Sequence, residues 1–285
     1  MVDEHIGQGT MRQTVALTVA GSDSGGNAGI QADLRAFHFF GVHGCTVLAA
    51  LTAQNPFRVR SALVPEASFV EDQLDAVLEA YAVGALKTGM LAESAVIEAV
   101  AGRLMPHGRI VKVFDPVMVA SSGARLLRDD AVETLKRSLL PLADLITPNL
   151  PETRVLSGKT LGLDDDEDVA MAACDLADKF GCAVLVKGGH RGGAAAADLL
   201  YDGERLYRFS TPRLDSPLST HGTGCSLSAA ITAALACGKG LVEAVTEGKA
   251  YVYESIRSAV MVGECAAVLG TPARLPVEAV RVEKA

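Results

Sequence analysis

The residues of this chain with the clearest chemical potential lie between Ser219 and Ala234, in the stretch STHGTGCSLSAAITAA. Gly222 and Gly224 allow a tight bend and let a ligand approach the backbone closely. After Cys225, apolar residues recur at helical spacing, so a glycine loop is predicted to run directly into a helix. The first amides of such a helix have no partner within it, and together with the helix dipole they favour an anion.

Phosphoryl transfer is the chemistry that this arrangement serves best. That reaction needs donors to hold developing negative charge and a nearby base to take the proton of the acceptor hydroxyl. The Cys225 thiol is placed to be that base, and we expect the helix N-terminus to lower its pKa below the ordinary value of about 8.5. For this segment alone, the alternative is a plain turn and helix cap with a structural cysteine.

The composition of the chain is that of a large α/β domain. It has 285 residues, of which 49% are hydrophobic, enough for a sizeable core. The formal net charge of −8, with no basic stripe, disfavours binding to nucleic acid or to an anionic membrane. No segment approaches the length of a membrane span. The six cysteines show no CxxC pair and no zinc spacing, so we expect reduced thiols in a cytoplasmic protein.

Strand-like and helix-like segments alternate along the chain. Apolar runs at 16–20 and 183–186 predict buried strands. Periodic segments at 69–81, 166–180 and 241–262 predict helices. This alternation predicts a three-layer α/β/α fold with a central, mainly parallel sheet and helices on both faces. In such a sheet, ligands bind beyond the carboxyl ends of the strands.

The domain organisation is predicted to be simple, because the sequence shows no linker, repeat or low-complexity segment. A single domain is expected over residues 15–270. Residues 1–14 are polar, lack the apolar core of a signal peptide and are predicted to be a disordered leader. Residues 271–285 are predicted to be a C-terminal tail.

Polar side chains follow several predicted strands. Asp115 ends one strand, and Asn149 and Glu152 follow the next in the segment TPNLPE. Two acids from neighbouring strand ends make a Mg²⁺ site credible, held through water and substrate phosphates, although turn and cap roles are the alternatives. Lys187 closes a buried strand and is a candidate phosphate partner. Lys249 is another candidate, but an exposed position is the default for a lysine on an amphipathic helix.

The segment from Gly21 to Asp33, GSDSGGNAGIQAD, forms a permissive strand-to-helix turn with four glycines. It does not meet the GxGxxG pattern, which disfavours a nicotinamide-dependent oxidoreductase. Asp33 falls near the first turn of the following helix. It either stabilises that helix or accepts a hydrogen bond from a small polar ligand.

Eight segments occur in an order that matches one known family, within a resemblance that covers roughly residues 16–253. They are ALTVAGSDSGGNAGIQADL, LAALTAQN, LKTGML, VFDPVM, LITPNLPE, VLVKGGH, DLLYDG and STHGTGCSLSAAI. Through these segments the chain resembles the hydroxymethylpyrimidine/phosphomethylpyrimidine kinases of thiamin biosynthesis, within the ribokinase-like superfamily.

This resemblance implies a substrate and a reaction. The chain would use ATP and Mg²⁺ to phosphorylate 4-amino-5-hydroxymethyl-2-methylpyrimidine and then its monophosphate, as a homodimer. Asp33 and Gln54 would hydrogen-bond the ring nitrogens and amino group. The residues implied to hold the pyrimidine are Gly21, Ala28, Asp33, Gln54, Met90 and Val117.

The resemblance also implies roles around the phosphates. Cys225 would take the proton of the hydroxymethyl group. Gly222, Thr223 and Gly224 would form an anion hole together with the Cys225 amide. The remaining implied contacts are Asn149, Lys187 and Lys249 with the nucleotide, and Asp115 and Glu152 with Mg²⁺.

Two alternatives stay open at this point. A pyridoxal kinase of the same branch would bind a similar flat ring with a hydroxymethyl group, and the Gln54 amide suits either ring because it both donates and accepts. Asn27 stands where the family commonly has glycine, and Pro56 stands where threonine is usual, which leaves the ligand preference open. A non-catalytic ligand sensor is the alternative from another class, but the intact acid, lysine and thiol argue against it.

Overall fold

The fold is built on a sheet whose strands follow the predicted alternation of elements. A computed structural model describes residues 13–119, 126–158, 165–189, 192–214, 221–262 and 266–284. In chain order the strands are β1 (Val15–Asp23), β2 (His43–Asn55), β3 (Arg58–Leu63), β4 (Val83–Thr88), β5 (Val111–Phe114), β6 (Leu145–Ile146), β7 (Ala183–Lys187), β8 (Ala195–Tyr201), β9 (Leu206–Pro212), β10 (Val260–Val262), β11 (Ala266–Val268) and β12 (Arg281–Lys284).

Helices connect most of these strands. They are α1 (Gly29–Phe39), α2 (Ala67–Ala80), α3 (Ser94–Leu104), α4 (Asp129–Thr134), α5 (Leu150–Ser157), α6 (Asp166–Phe180), α7 (Thr223–Ala236) and α8 (Leu241–Arg257). Helix α4 continues through a π turn and a short 3₁₀ turn to Leu142, and another 3₁₀ turn covers Val277–Ala279. Among the described residues, no helix is both long enough and apolar enough to cross a membrane.

The main sheet has ten strands within the described ranges, in the order β12-β9-β8-β7-β6-β5-β4-β1-β2-β3. The central strands, which in sheet order are β2, β1, β4, β5, β6 and β7, pair in parallel. Both edges are antiparallel, through β3 on one side and through β8, β9 and β12 on the other. The carboxyl ends of the parallel strands therefore meet along one edge of the sheet, where a ligand is expected.

Apolar side chains on the two sides of the sheet form separate clusters. On β1, Leu17 and Val19 belong to a cluster with residues of α2, α3 and α6, whereas Ala16 belongs to a second cluster with residues of α1, α7 and α8. This division follows from the strand period of two, because successive side chains point to opposite faces. Helices on both faces complete the three layers, and the predicted fold class is confirmed.

Helix α6 shows how local sequence fixes the ends of an element. The Asp165 side chain accepts a hydrogen bond from the Asp168 amide, and three acids occupy the first turn, where they complement the helix dipole. Gly181 adopts the left-handed conformation that ends the helix. These four acids therefore cap the helix and stabilise its N-terminus.

One prediction about the C-terminal region was wrong. The helix predicted over 241–262 ends at Arg257, and Val260–Val262 instead pairs with Ala266–Val268 in an antiparallel hairpin. The Ser258 hydroxyl donates to the Glu254 carbonyl, and the following apolar segment satisfies its backbone groups in the hairpin. The segment predicted as a tail contributes β12, because β9 offers it an edge with which to pair. Residues 1–12 of the predicted leader lie outside the described residues.

The turn between β1 and α1 depends on close backbone packing. Gly29 has φ +56°, and a β-carbon at this position would lie 2.2 Å from the Gly21 carbonyl oxygen. Gly26, in the same turn, has φ +79° but has no atom within 4 Å of the corresponding position. The two glycines share a left-handed conformation and differ in the space around them.

This difference predicts unequal costs for two alanine substitutions. Gly26→Ala should lower the free energy of unfolding by about 1–2 kcal/mol, the cost of the left-handed conformation alone. Gly29→Ala should cost a further 1–3 kcal/mol, roughly, because the added methyl group meets the backbone of β1. Urea unfolding of the two variants and the parent measures both values, and equal costs would contradict the packing argument.

Candidate active site

A cavity of about 400 Å³ opens at the carboxyl ends of the parallel strands. Its wall includes residues at or just after the carboxyl ends of β1, β4, β5 and β7, together with the N-terminus of α7. Its volume lies within the range of small-molecule sites. The predicted site residues that line it are Gly21, Ala28, Gln54, Met90, Asp115, Val117, Asn149, Glu152, Lys187, Gly222, Thr223, Gly224, Cys225 and Lys249.

The start of α7 is held in place by a backbone contact. Gly222 precedes the helix with φ +89°, and a β-carbon there would lie only 2.0 Å from the Asn27 carbonyl oxygen. Only glycine fits this combination of conformation and contact. The contact brings the first turn of α7 against the turn that precedes α1, so the N-termini of both helices face the same cavity.

The Cys225 thiol does not have the lowered pKa that the sequence suggested. Burial raises the pKa of Cys225 to about 11. Lys87 and the amide of Gly29 act in the opposite direction, whereas the carboxylates of Asp33 and Asp115 add to the increase. The expectation from the helix N-terminus was wrong because the loss of solvation outweighs the dipole at this partly buried position.

Lys187 and Asp115 form an ion pair on the cavity wall. The Lys187 Nζ donates to Asp115 Oδ1 at 2.6 Å, and the Ser228 hydroxyl donates to Asp115 Oδ2 at 3.2 Å. Burial alone would lower the pKa of Lys187, but Asp115 and Glu152 hold it above its ordinary value. A β-carbon on Gly224 would lie 3.5 Å from Lys187 Nζ, so this ammonium group stands beside the glycine loop.

Glu152 is fixed by its own helix. The Asn149 amide donates to Glu152 Oε2 at 2.8 Å, and the Glu152 amide donates to Asn149 Oδ1 at 2.9 Å, which together form a capping box. Burial raises the pKa of Glu152 to about 7, with a further increase from Asp115 and an opposing effect of Lys187. This carboxyl is therefore sensitive to any cation that enters the cavity.

The donor set on the cavity wall fits a magnesium ion that is shared with phosphates. No cluster of three or more His, Cys, Asp or Glu side chains that could hold a metal occurs within the described ranges. Mg²⁺ commonly binds through one or two carboxylates, waters and substrate phosphates. Asp115 and Glu152 offer two carboxylates that repel each other and would gain from a shared cation.

Lys249 is buried, although an exposed position is the default for its place on a helix. Its Nζ donates to Asp198 Oδ2 at 2.5 Å, and Asp198 Oδ1 accepts a hydrogen bond from the Gly188 amide at 2.9 Å. Lys249 and Asp198 both line the cavity. Asp198 therefore joins α8 to the segment that follows β7.

Gln54 belongs to a small polar network at the other end of the cavity. Its Nε2 lies 3.1 Å from Nε2 of His221, which in turn lies 3.5 Å from Asp23 Oδ2. Asp23 also accepts hydrogen bonds from the Gly25 and Ala28 amides. Burial works against the charged form, yet these partners hold the pKa of the Asp23 carboxyl below its ordinary value.

The structure does not bring Asp33 to the cavity. Its side chain is 0% exposed, its Oδ1 accepts from Lys87 Nζ at 2.9 Å, and its Oδ2 accepts from the Thr18 hydroxyl at 2.6 Å. Asp33 lies on the buried side of α1, where β1 and β4 supply both partners. The predicted contact between Asp33 and the ligand ring is therefore corrected to a contact within the core.

Sequence reasoning missed several polar residues of this region, namely Asp23, Lys87, Asp198, Arg213 and His221. Each except Arg213 lies inside a segment that carried the family resemblance, so the motif itself was the available signal. Arg213 donates to the carbonyls of Gly189, Gly193 and Ala195. It thereby fixes the loop that follows β7.

Comparisons with known proteins show the family of the chain. The family model described as Phosphomethylpyrimidine kinase matches residues 23–269. A hydroxymethylpyrimidine/phosphomethylpyrimidine kinase of Rhizobium meliloti is 46% identical over 245 residues, which cover 86% of this chain and 91% of the relative.

Solved structures extend the agreement to the fold. The Staphylococcus aureus pyridoxal kinase in complex with AMP-PCP and pyridoxal has a TM-score of 0.85 and 32% identity, and the match covers 96% of this chain and 100% of that one. A phosphomethylpyrimidine kinase of Clostridium difficile has a TM-score of 0.75 and 35% identity, with coverage of 86% and 100%. The chain belongs to the phosphomethylpyrimidine kinase family and is a phosphotransferase of ribokinase-like fold.

Proposed function

We propose that this protein uses ATP to phosphorylate 4-amino-5-hydroxymethyl-2-methylpyrimidine and then its monophosphate, in thiamin biosynthesis. The observation that carries the proposal is the convergence in one cavity of the α7 N-terminus, the Cys225 thiol and the Lys187–Asp115 pair. The names of the relatives supply the substrate class.

The proposed reaction is a direct transfer of the terminal phosphoryl group. The hydroxymethyl oxygen bonds to the γ-phosphorus, its proton moves to Sγ of the deprotonated Cys225, and the bond from γ-phosphorus to the bridging oxygen breaks to release ADP. Amides of Gly222, Thr223, Gly224 and Cys225 would hold the phosphoryl oxygens. Because the transition state of this transfer is loose, most of the rate comes from positioning and charge neutralisation.

The nucleotide would occupy the side of the cavity that carries the two lysines. Lys187 and Lys249 would face the phosphates, and Asn149 would contact the nucleotide as the family resemblance implies. Asp115 and Glu152 would hold Mg²⁺, which when bound neutralises charge on the phosphates. Each lysine is already paired with an aspartate, so nucleotide phosphates would compete with these carboxylates for the ammonium groups.

The pyrimidine ring would lie at the other end of the cavity, where it would be enclosed by Gly21, Ala28, Met90 and Val117. Gln54 would hydrogen-bond its polar edge.

Pyridoxal is a second candidate substrate. The similarity to a pyridoxal kinase over nearly the whole chain favours it, as does the ability of the Gln54 amide to donate and accept. We further propose a homodimer in the cytoplasm. The cytoplasmic location is supported by the free thiols of Cys45, Cys174, Cys182, Cys225 and Cys237, while Cys265 lies outside the described residues.

Phosphorus NMR with excess ATP tests the proposed function directly. The hydroxymethylpyrimidine should give first a monophosphate and then a diphosphate signal, with a higher kcat/KM than pyridoxal. Arrest at the monophosphate would contradict the two-step reaction. A higher kcat/KM for pyridoxal would favour the second candidate, and no ADP release with either alcohol would reject the kinase proposal.

Replacement of Cys225 tests the proposed base. Cys225→Ala should lower kcat by about 100-fold or more, because general-base catalysis typically contributes that much, while the Kd for nucleotide stays unchanged. In the parent protein, kcat should rise with pH from neutral to mildly alkaline solution, since the thiol pKa is about 11. Cys237→Ala, at the exposed far end of α7, is the matched control. Near-normal turnover in Cys225→Ala would reject the base role.

Replacement of Lys187 tests the nucleotide side. Lys187→Ala should weaken ATP-analogue binding by about tenfold or more in isothermal titration, because it removes a charge-assisted contact with phosphate. Pyrimidine binding should change far less. Lys239→Ala, a partly exposed lysine paired with Glu243 and outside the cavity wall, is the control. A larger loss of pyrimidine affinity than of nucleotide affinity would overturn the assignment.

A further inference from the structure

A second ion pair lies directly behind the cavity and has no part in the proposed function. Lys87 Nζ and Asp33 Oδ1 are 2.9 Å apart, and both side chains are 0% exposed. The Thr18 hydroxyl donates to the other carboxylate oxygen of Asp33 at 2.6 Å. The three residues join β1, α1 and β4, and neither member of the ion pair lines the cavity.

A fully buried ion pair is not explained by stability. Removing two charges from water costs free energy, and replacement of such a pair by apolar side chains of similar volume is often neutral or stabilising. Burial favours the neutral form of Lys87, yet Asp33 holds the pKa of Lys87 above its ordinary value, so the ammonium charge persists in the core. The buried ammonium charge therefore points to a role toward the groups that surround Lys87.

The surroundings of Lys87 include the reactive end of α7. A β-carbon on Gly89, a residue of the cavity wall, would lie 3.4 Å from Lys87 Nζ. Helix α7, which carries Cys225 in its first turn, packs against β4, which carries Lys87. At its other end α7 lies against the start of β4, since a β-carbon on Gly84 would lie 3.3 Å from the Ala236 carbonyl oxygen, so the first turn of α7 lies toward the end of β4 that carries Lys87.

Four charged groups act on the thiol from the elements around it. Lys87 on β4 and Lys187 on β7 are cations, whereas Asp33 on α1 and Asp115 after β5 are anions. Lys187 donates a hydrogen bond to Asp115 and is proposed to face the nucleotide phosphates. Of the two cations, Lys87 is therefore the one that lies behind the cavity wall, on the side of the thiol away from the ligand.

We propose that Lys87 is a positioning residue that stabilises the thiolate of Cys225 from behind the cavity wall, with Asp33 and Thr18 holding its ammonium group in place. This inference rests on the proposed role of Cys225 as the base. It gives Asp33 an indirect part in the reaction, since its carboxylate fixes the cation.

The test measures the thiolate without measuring the reaction. Alkylation of Cys225 by iodoacetamide, followed peptide by peptide with mass spectrometry, reports the fraction of deprotonated thiol. In Lys87→Met, alkylation of Cys225 at one mildly alkaline pH should be slower by about tenfold or more, because an opposite charge nearby shifts a pKa by roughly 1–3 units. The turnover number should fall with it, while the KM for ATP stays near the parent value.

Two further variants separate charge from shape and from general damage to the core. Lys87→Arg keeps the positive charge and alters the shape, so it should alkylate faster than Lys87→Met. Lys112→Met removes another buried lysine on the adjacent strand β5, whose Nζ donates to the carbonyls of His107 and Ile110. This control should lose some stability in thermal unfolding, because it leaves both carbonyls without their donor, but it should keep the parent alkylation rate.

A neutral version of the pair addresses folding. Lys87→Met alone leaves Asp33 buried without its counter-ion, whereas Asp33→Asn combined with Lys87→Met removes both charges. The double variant should recover much of the lost thermal stability and still alkylate more slowly than the parent protein. Full recovery of alkylation and turnover in the double variant would mean that the pair is structural and would overturn the proposal.

The remaining outcomes are equally distinct. An unchanged alkylation rate in Lys87→Met would overturn the role of Lys87, whatever the turnover does. Normal turnover in Cys225→Ala would instead remove the base on which the inference rests, and the two failures are seen in different variants. Equal slowing in Lys87→Met and Lys87→Arg would assign the effect to access and would also overturn the proposal.

Discussion

The site depends on one backbone contact, the approach of Gly222 to the carbonyl of Asn27. This contact brings the N-terminus of α7 against the turn that precedes α1, although the two segments lie far apart in the sequence. Cys225, in the first turn of α7, then lines the same cavity as Gly29 at the start of α1. Any side chain at Gly222 would push the N-terminus of α7 away from the turn that precedes α1 and would disrupt the site.

Around this contact, the described residues show a repeated electrostatic pattern. Lys187 pairs with Asp115, Lys249 with Asp198, and Lys87 with Asp33, and all three pairs are largely removed from solvent. The first two pairs line the cavity, where a ligand with anionic groups could compete with their carboxylates for the ammonium groups. The third pair lies behind the wall, where no ligand can replace its carboxylate.

Local signals in the sequence predicted the fold well, and long-range partners account for what they did not predict. The bounds of α6 follow from its apolar period, its acidic cap and Gly181. Strand β3 was not predicted, because its mostly exposed residues carry no alternating pattern. An aspartate in the first turns of a helix can point outward or inward, and Lys87, 54 positions away, decides the direction for Asp33. The burial of Lys249 likewise depends on Asp198, 51 positions away.

The pairing of β12 with β9 affects the tendency of the protein to associate with other copies of itself through the edge of the sheet. β9 would otherwise present a row of unpaired backbone groups, which is a template for association between chains. β9 is also the partner of β8, which carries Asp198. The strand formed by residues 281–284 replaces β9 as the edge of the sheet, and its four residues, three of them charged, make a poorer template at the same hairpin that anchors Lys249.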